Sequence, residues 1–127
     1  MSRKDHRKKG ADLRAQVKLP PLEELAPGFR DLVTDLAYGG IWARSELAVS
    51  DRMICTLSAL TLLQRLPHLR RYIGAALDSE MPPRSIAEVI IQCGLYGGYP
   101  IAETALEILQ EVLAERRTVL GKDADDT

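Results

Sequence analysis

Residues 86–100 read Ile86-Ala87-Glu88-Val89-Ile90-Ile91-Gln92-Cys93-Gly94-Leu95-Tyr96-Gly97-Gly98-Tyr99-Pro100. Ile86, Val89, Ile90, Cys93 and Gly97 recur at intervals of three and four, with Glu88 and Gln92 opposite, which is the spacing of one apolar stripe on a helix. The stretch then breaks and restarts within four residues. Gly97 or Gly98 can adopt the positive φ that closes a helix, and Pro100, with φ preset and no N–H to satisfy, suits the first turn of the next. That next helix carries Ile101, Ala105, Ile108 and Val112 on one side and Glu103, Glu107 and Glu111 on the other. Two amphipathic helices joined by so tight a corner must fold back on each other, with Tyr96 and Tyr99 flanking the turn.

The same spacing extends toward the N-terminus. Met81-Pro82-Pro83 breaks the chain before the quoted helix, and Pro67 suits the first turn of an earlier one with Leu69, Ile73, Ala76 and Leu77 inward and Arg70, Arg71 and Asp78 wet. Before it, 53–63 is apolar or small all round the cylinder, with Ser50 as a candidate N-cap, so this helix should be central and buried. Phe29, Leu32, Val33, Leu36, Ala37 and Ile41 predict a first long helix that opens near Pro27 and weakens at Gly39-Gly40. No segment shows the period-2 alternation of a strand, so the fold class is all-α.

At 127 residues the chain has the size of one domain able to bury a core without disulfides or metal. With 46% apolar residues and a formal charge of −1, it is neither a disordered chain nor a nucleic-acid binder built on bulk positive charge. No apolar run approaches the roughly 18 residues of a membrane span, and the basic N-terminus lacks the apolar stretch of a secretory signal, so a cytoplasmic location is the simplest reading. Residues 1–19 hold seven Lys or Arg against two Asp and few residues that can anchor a core. They are expected to form a mobile basic arm, followed by a helical domain over 20–118 and a short acidic tail over 119–127. Cys55 and Cys93 lie in apolar runs without paired spacing, which predicts buried, inert thiols and no disulfide, CxxC or zinc site.

Residues 86–100 also resemble the E-x-x-x-Q-x-x-x-Y-x-G-x-P segment of the carboxymuconolactone decarboxylase family. Trp42-Ala43-Arg44 followed by Leu47 to Arg52 is similar to that family's W-x-R … L-s-x-x-D-R segment, and Ala75-Ala76-Leu77 to its A-L pair. The resemblance runs from about Leu22 to Arg116 in matching order. It implies the all-α alkylhydroperoxidase D type of fold, assembled as homo-oligomers such as trimers or hexamers. One branch of the family attacks peroxide with a CxxC pair followed by a histidine; here those positions hold Arg65, His68 and Tyr72, so the redox motif is absent. The other branch removes CO₂ from a small lactone acid without a cofactor. That chemistry needs cations for carboxylates, a proton donor and a dry pocket.

Several residues then stand out, each with an ordinary role beside the chemical one. His68 and Tyr72 are four apart and share a helix face, so His68 can tune Tyr72 as a proton donor, or else cap its helix while Tyr72 packs. Arg44 and Arg52 can clamp a carboxylate in a bidentate fork, or form structural ion pairs with Glu46 or Asp51. Glu46 can act as a base or be solvated. Trp42 can wall a pocket or serve as a core or subunit contact, and Tyr96 can line the pocket or pack the corner. The reading is a cofactor-free lyase or isomerase acting on a small carboxylate or lactone. A non-catalytic oligomeric binding or scaffold member stands as the alternative, and a thiol peroxidase as a third.

Overall fold

The computed structural model describes residues 2–125, with side chains through residue 117; the acidic tail expected over 119–127 lies outside the described side chains. Regular structure among the described residues is helical throughout. α1 spans Arg3–Gln16; α2, Phe29–Val33, runs directly into a π-helical segment, Thr34–Trp42; then follow α3 (Val49–Leu62), α4 (Leu66–Asp78), α5 (Pro83–Gly97) and α6 (Tyr99–Asp125).

α3 to α6 pack on one another as a bundle, and α3 touches all three of its partners. Leu57 of α3, Leu69, Ile73 and Ala76 of α4, Ile86 and Ile90 of α5, and Ala105, Ile108 and Val112 of α6 close into one core, as their spacing predicts. α3 is buried on one face only: Met53, Leu57 and Thr61 are inside, whereas Ile54, Cys55 and Leu62 face out. Its N-cap is Ala48 rather than Ser50, which sits in the first turn. The α5–α6 corner turns at Gly98, with φ +101° and ψ 153°, a region open essentially to glycine alone. The Gly98 N–H closes α5 on the Gly94 carbonyl at 3.0 Å.

The N-terminal segment departs from the expected arm. Ser2 and Asp5 form a capping box, each side chain accepting from the other's backbone N–H, and launch α1. Leu13 and Val17 enter the core cluster. α1 packs on the π-helical segment at backbone distance, because Gly10 and Gly39 face each other there. A Cβ on Gly10 would lie 2.8 Å from the Gly39 nitrogen and on top of the Thr34 carbonyl oxygen, and one on Gly39 would overlap the His6 carbonyl. The few apolar residues of α1 are enough because the contact is made by main chain.

The first long helix is correct in extent but turned. Thr34–Trp42 closes on i→i+5 bonds, as in the 2.9 Å bond from Ala43 N–H to the Tyr38 carbonyl, so its turn holds more than four residues. The buried set is therefore Thr34, Asp35, Tyr38 and Gly39. Phe29, Leu32, Leu36 and Ile41, picked out by a 3.6-residue period, are 37–57% exposed. Asp35 is fully buried and held by Arg7, whose Nε and Nη2 donate to its two carboxylate oxygens at 3.0 and 3.1 Å, with the Arg3 Nε at 3.4 Å.

Three helices end alike. After α1, α3 and α4 the chain turns through a left-handed residue, Lys18, Gln64 and Glu80, with φ of 60°, 54° and 70°. Each donates to the carbonyl three residues back, and the residue after it donates five back, the doubled bond of a Schellman motif. Glycine is the usual occupant, and a side chain there costs roughly 1–2 kcal/mol. Gln64→Gly should therefore raise stability by about 1 kcal/mol, a Tm gain of roughly 4 °C read by calorimetry. Gly39→Ala should do the opposite, since the new methyl meets rigid main chain: a loss of about 3 kcal/mol and faster tryptic cleavage within α1. Unchanged melting and cleavage in the Gly39→Ala variant would show that α1 is not held by this contact.

Candidate functional site

The π-helical segment carries Tyr38 and Trp42 toward α4, where Tyr72 meets them. Trp42 packs against both tyrosines, at ring centroid distances of 6.3 Å to each and interplanar angles of 26° and 24°. The Tyr38 and Tyr72 hydroxyls hydrogen-bond to each other. On the far side of Tyr38 the Arg14 guanidinium lies 4.4 Å over the ring, a cation–π contact from α1. Arg14 also donates to the Pro20 carbonyl, which fixes the turn after α1. Burial, and then the bond to Tyr38, push the Tyr72 hydroxyl well above its ordinary value of 10.0. Both effects favour the neutral, hydrogen-bonded form of Tyr72.

Trp42 also forms part of a cleft of about 400 Å³ between α1 and 42–49. Leu13 and Val49 add apolar wall, Lys9 and Asp12 stand on the α1 side, and Arg44 on the other. The 43–48 loop is braced from below by Arg52, whose Nε and Nη2 donate to the Leu47 and Arg44 carbonyls at 3.3 and 3.2 Å. Two cations, one carboxyl and an indole face around a small cavity can seat a carboxylate on an apolar body.

The residues singled out from sequence divide accordingly. Trp42, Arg44, Arg52 and Tyr72 are brought together, although Arg52 is engaged by main chain and Tyr72 stands behind Trp42 rather than on the cleft. Glu46 and His68 are exposed, and the Tyr72 hydroxyl is taken by Tyr38 rather than by His68. Tyr96, on the last turn of α5, is 80% exposed and lies outside the aromatic stack. Sequence reasoning missed Tyr38, Arg14, Lys9 and Asp12. Tyr38 has a signal in its four-residue spacing from Trp42; the other three lie on α1, whose composition is that of an arm.

The carboxymuconolactone decarboxylase family model matches residues 27–111. The chain belongs to that family. It is similar to a 4-carboxymuconolactone decarboxylase of Acinetobacter baylyi, 26% identical over 116 residues that make up 85% of this chain and 87% of that protein. It is also similar to a protein of Paracoccus denitrificans described as an uncharacterized 15.0 kDa protein in the nqo9-nqo10 intergenic region, 34% identical over 96 residues, 74% of this chain and 72% of that one. Within the family frame, Cys55 corrects an expectation: it is exposed on α3, while Cys93 is buried with its thiol 3.8 Å from the Ser58 carbonyl.

The Asp35–Arg7 pair ties α1, which carries Lys9 and Asp12, to the π-helical segment. The guanidinium holds the Asp35 carboxyl below its ordinary 3.8, so the pair stabilises docking above that value and loses its effect as pH falls through the lower folded value. Trp42 emission should stay constant from neutrality down to about pH 4 and redden below it as α1 leaves. Asp35→Asn should show the reddened emission already at neutral pH. Identical titrations for the two proteins would remove Asp35 from this role.

Proposed function

We propose that this member of the carboxymuconolactone decarboxylase family is a cofactor-free lyase or isomerase that acts on a small carboxylate or lactone in the Trp42 cleft. One observation carries the reading: Lys9 of α1 and Arg44 of the 43–48 loop line the same small cleft as Trp42. Cations there hold a carboxylate and stabilise the enolate that remains when CO₂ or a proton is lost, and the indole supports the apolar body. Asp12, on the cleft wall, is the group placed to carry a proton between carbons, with Glu46 in the adjoining loop. Tyr72 and Tyr38 serve as the fixed backing of Trp42. The likeness to a protein named 4-carboxymuconolactone decarboxylase supports the substrate class. Self-association, as a trimer or hexamer in the cytoplasm, is part of the proposal and is supported by the exposed Phe29, Leu32, Leu36, Ile41, Leu95 and Tyr99.

A second reading, a binding member without turnover, draws on a different observation: the Tyr72 hydroxyl is bonded to Tyr38, and Arg65, His68 and Tyr72 occupy the positions of the redox motif. The two separate in one experiment. Mono- and dicarboxylates and lactones are screened by thermal shift, and those that bind are incubated with the protein and followed for CO₂ release or double-bond migration. A few related acids should raise Tm by several degrees, Arg44→Ala should abolish the shift, and Asp12→Asn should keep it while losing turnover at least 100-fold. Binding without turnover selects the second reading. No stabilisation by any acid overturns the cleft assignment.

A further inference from the structure

We propose that the groove between α4 and α6 is a second binding site, made for a small organic anion with an apolar body, such as an acyl or aryl carboxylate. The groove encloses about 1020 Å³ and shares no lining residue with the Trp42 cleft. Its floor is apolar, with Ala75 and Leu77 from α4, Val112 and Leu113 from α6, and Met81 at the end. Its rim is cationic: Lys18, Arg70, Arg71, Arg116 and Arg117 against Asp78, Glu80 and Glu115.

Those cations are of two kinds. Arg70 is tied to Glu111 and Glu115, and Arg116 is tied to Asp78 and donates to the Gly74 carbonyl at 3.0 Å. They clasp α4 to α6 and keep the groove's shape. Arg116 lies close over Gly74, where a Cβ would stand 3.1 Å from its Nη2. Lys18, Arg71 and Arg117, by contrast, have no carboxylate partner among the described residues. Among the described residues three rim cations thus stand without a carboxylate partner against one rim carboxylate without a cation, Glu80, and this net positive rim over an apolar floor complements a ligand whose charge is at one end and whose body is hydrocarbon or aromatic. Arg71 and Arg117 are exposed, so their forks are free to take a carboxylate in bidentate fashion. An inorganic anion would leave the floor wet, and a neutral alcohol would leave the cations unpaired.

Octanoate, octanol and inorganic phosphate test this by calorimetric titration of the full chain, of an Arg71→Glu, Arg117→Glu double variant and of Arg44→Ala. Octanoate binding at the groove should survive in Arg44→Ala, which separates the groove from the Trp42 cleft. The double variant should weaken octanoate at least tenfold, with octanol and phosphate at least tenfold weaker than octanoate on the parent. Circular dichroism checks folding, and Arg71→Gln, Arg117→Gln replaces the charge reversals if these unfold the chain. Equal octanoate binding by parent and double variant overturns the proposal, as does phosphate binding as tightly as octanoate. It also falls if octanoate does not bind and the double variant instead changes the sedimentation coefficient, which would make the groove a contact between copies of the chain.

Discussion

Two glycines hold the architecture of the site. Gly10 and Gly39 remove the Cβ atoms that would otherwise keep α1 and the π-helical segment a side chain apart, and main chain meets main chain. Helices usually associate through interdigitating side chains at 8–10 Å between axes. Here the apolar residues available on α1 are too few for that, and the closer approach lets a helix of very polar composition find a place in the fold. It also determines what lies beneath. Asp35 on the opposing segment is sealed from water, and a sealed carboxylate must be paired, which Arg7 and Arg3 accomplish from α1 itself.

From that contact the site follows by geometry. With α1 seated, Arg14 reaches the face of Tyr38, Tyr38 engages Tyr72 through their hydroxyls, and Trp42 packs against both rings. The ring so fixed becomes a wall of the cleft, and α1 supplies Lys9 and Asp12 to the facing wall. The N-terminal helix is therefore a component of the site rather than an appendage to the bundle, and α3 to α6 act mainly as the platform that holds Tyr72 in place.

The parts legible in the sequence are those in which side-chain spacing and helix geometry agree. α4 to α6 and the Gly98 corner could be read residue by residue because their cores follow a 3.6-residue period, and part of the family resemblance rests on the same stretch. The first long helix was located and its face in part: Val33 and Ala37 pack on the core as the stripe predicts, but within the π-helical segment Asp35 and Tyr38 are buried where Leu36 and Ile41 were expected. α1 escaped because a glycine contact leaves no apolar stripe, although Ser2 and Asp5 carried a capping-box signal. Lys18, Gln64 and Glu80 close helices at positions where the eye looks for glycine. Cys55 was misplaced for a related reason: α3 is apolar all round, yet only one side of it finds a partner within the chain. Of the site itself, Trp42, Arg44 and Tyr72 were visible, while the residues contributed by α1 could not be found until α1 was.

Tyr72 stands where the resemblance to the family implies a histidine, and its surroundings say what the tyrosine does instead. A histidine there brings a group that titrates near neutrality and can move protons. A tyrosine, buried and bonded to a second tyrosine, brings a hydroxyl that keeps its proton, together with a ring that extends the aromatic column. The exchange trades a titrating group for a rigid wall. Asp12, by contrast, lines the cleft, where Tyr72 does not. The family frame persists through such a change because the core positions of α3 to α6 and the residue at 72 answer to different demands: the first to close packing, the second to chemistry.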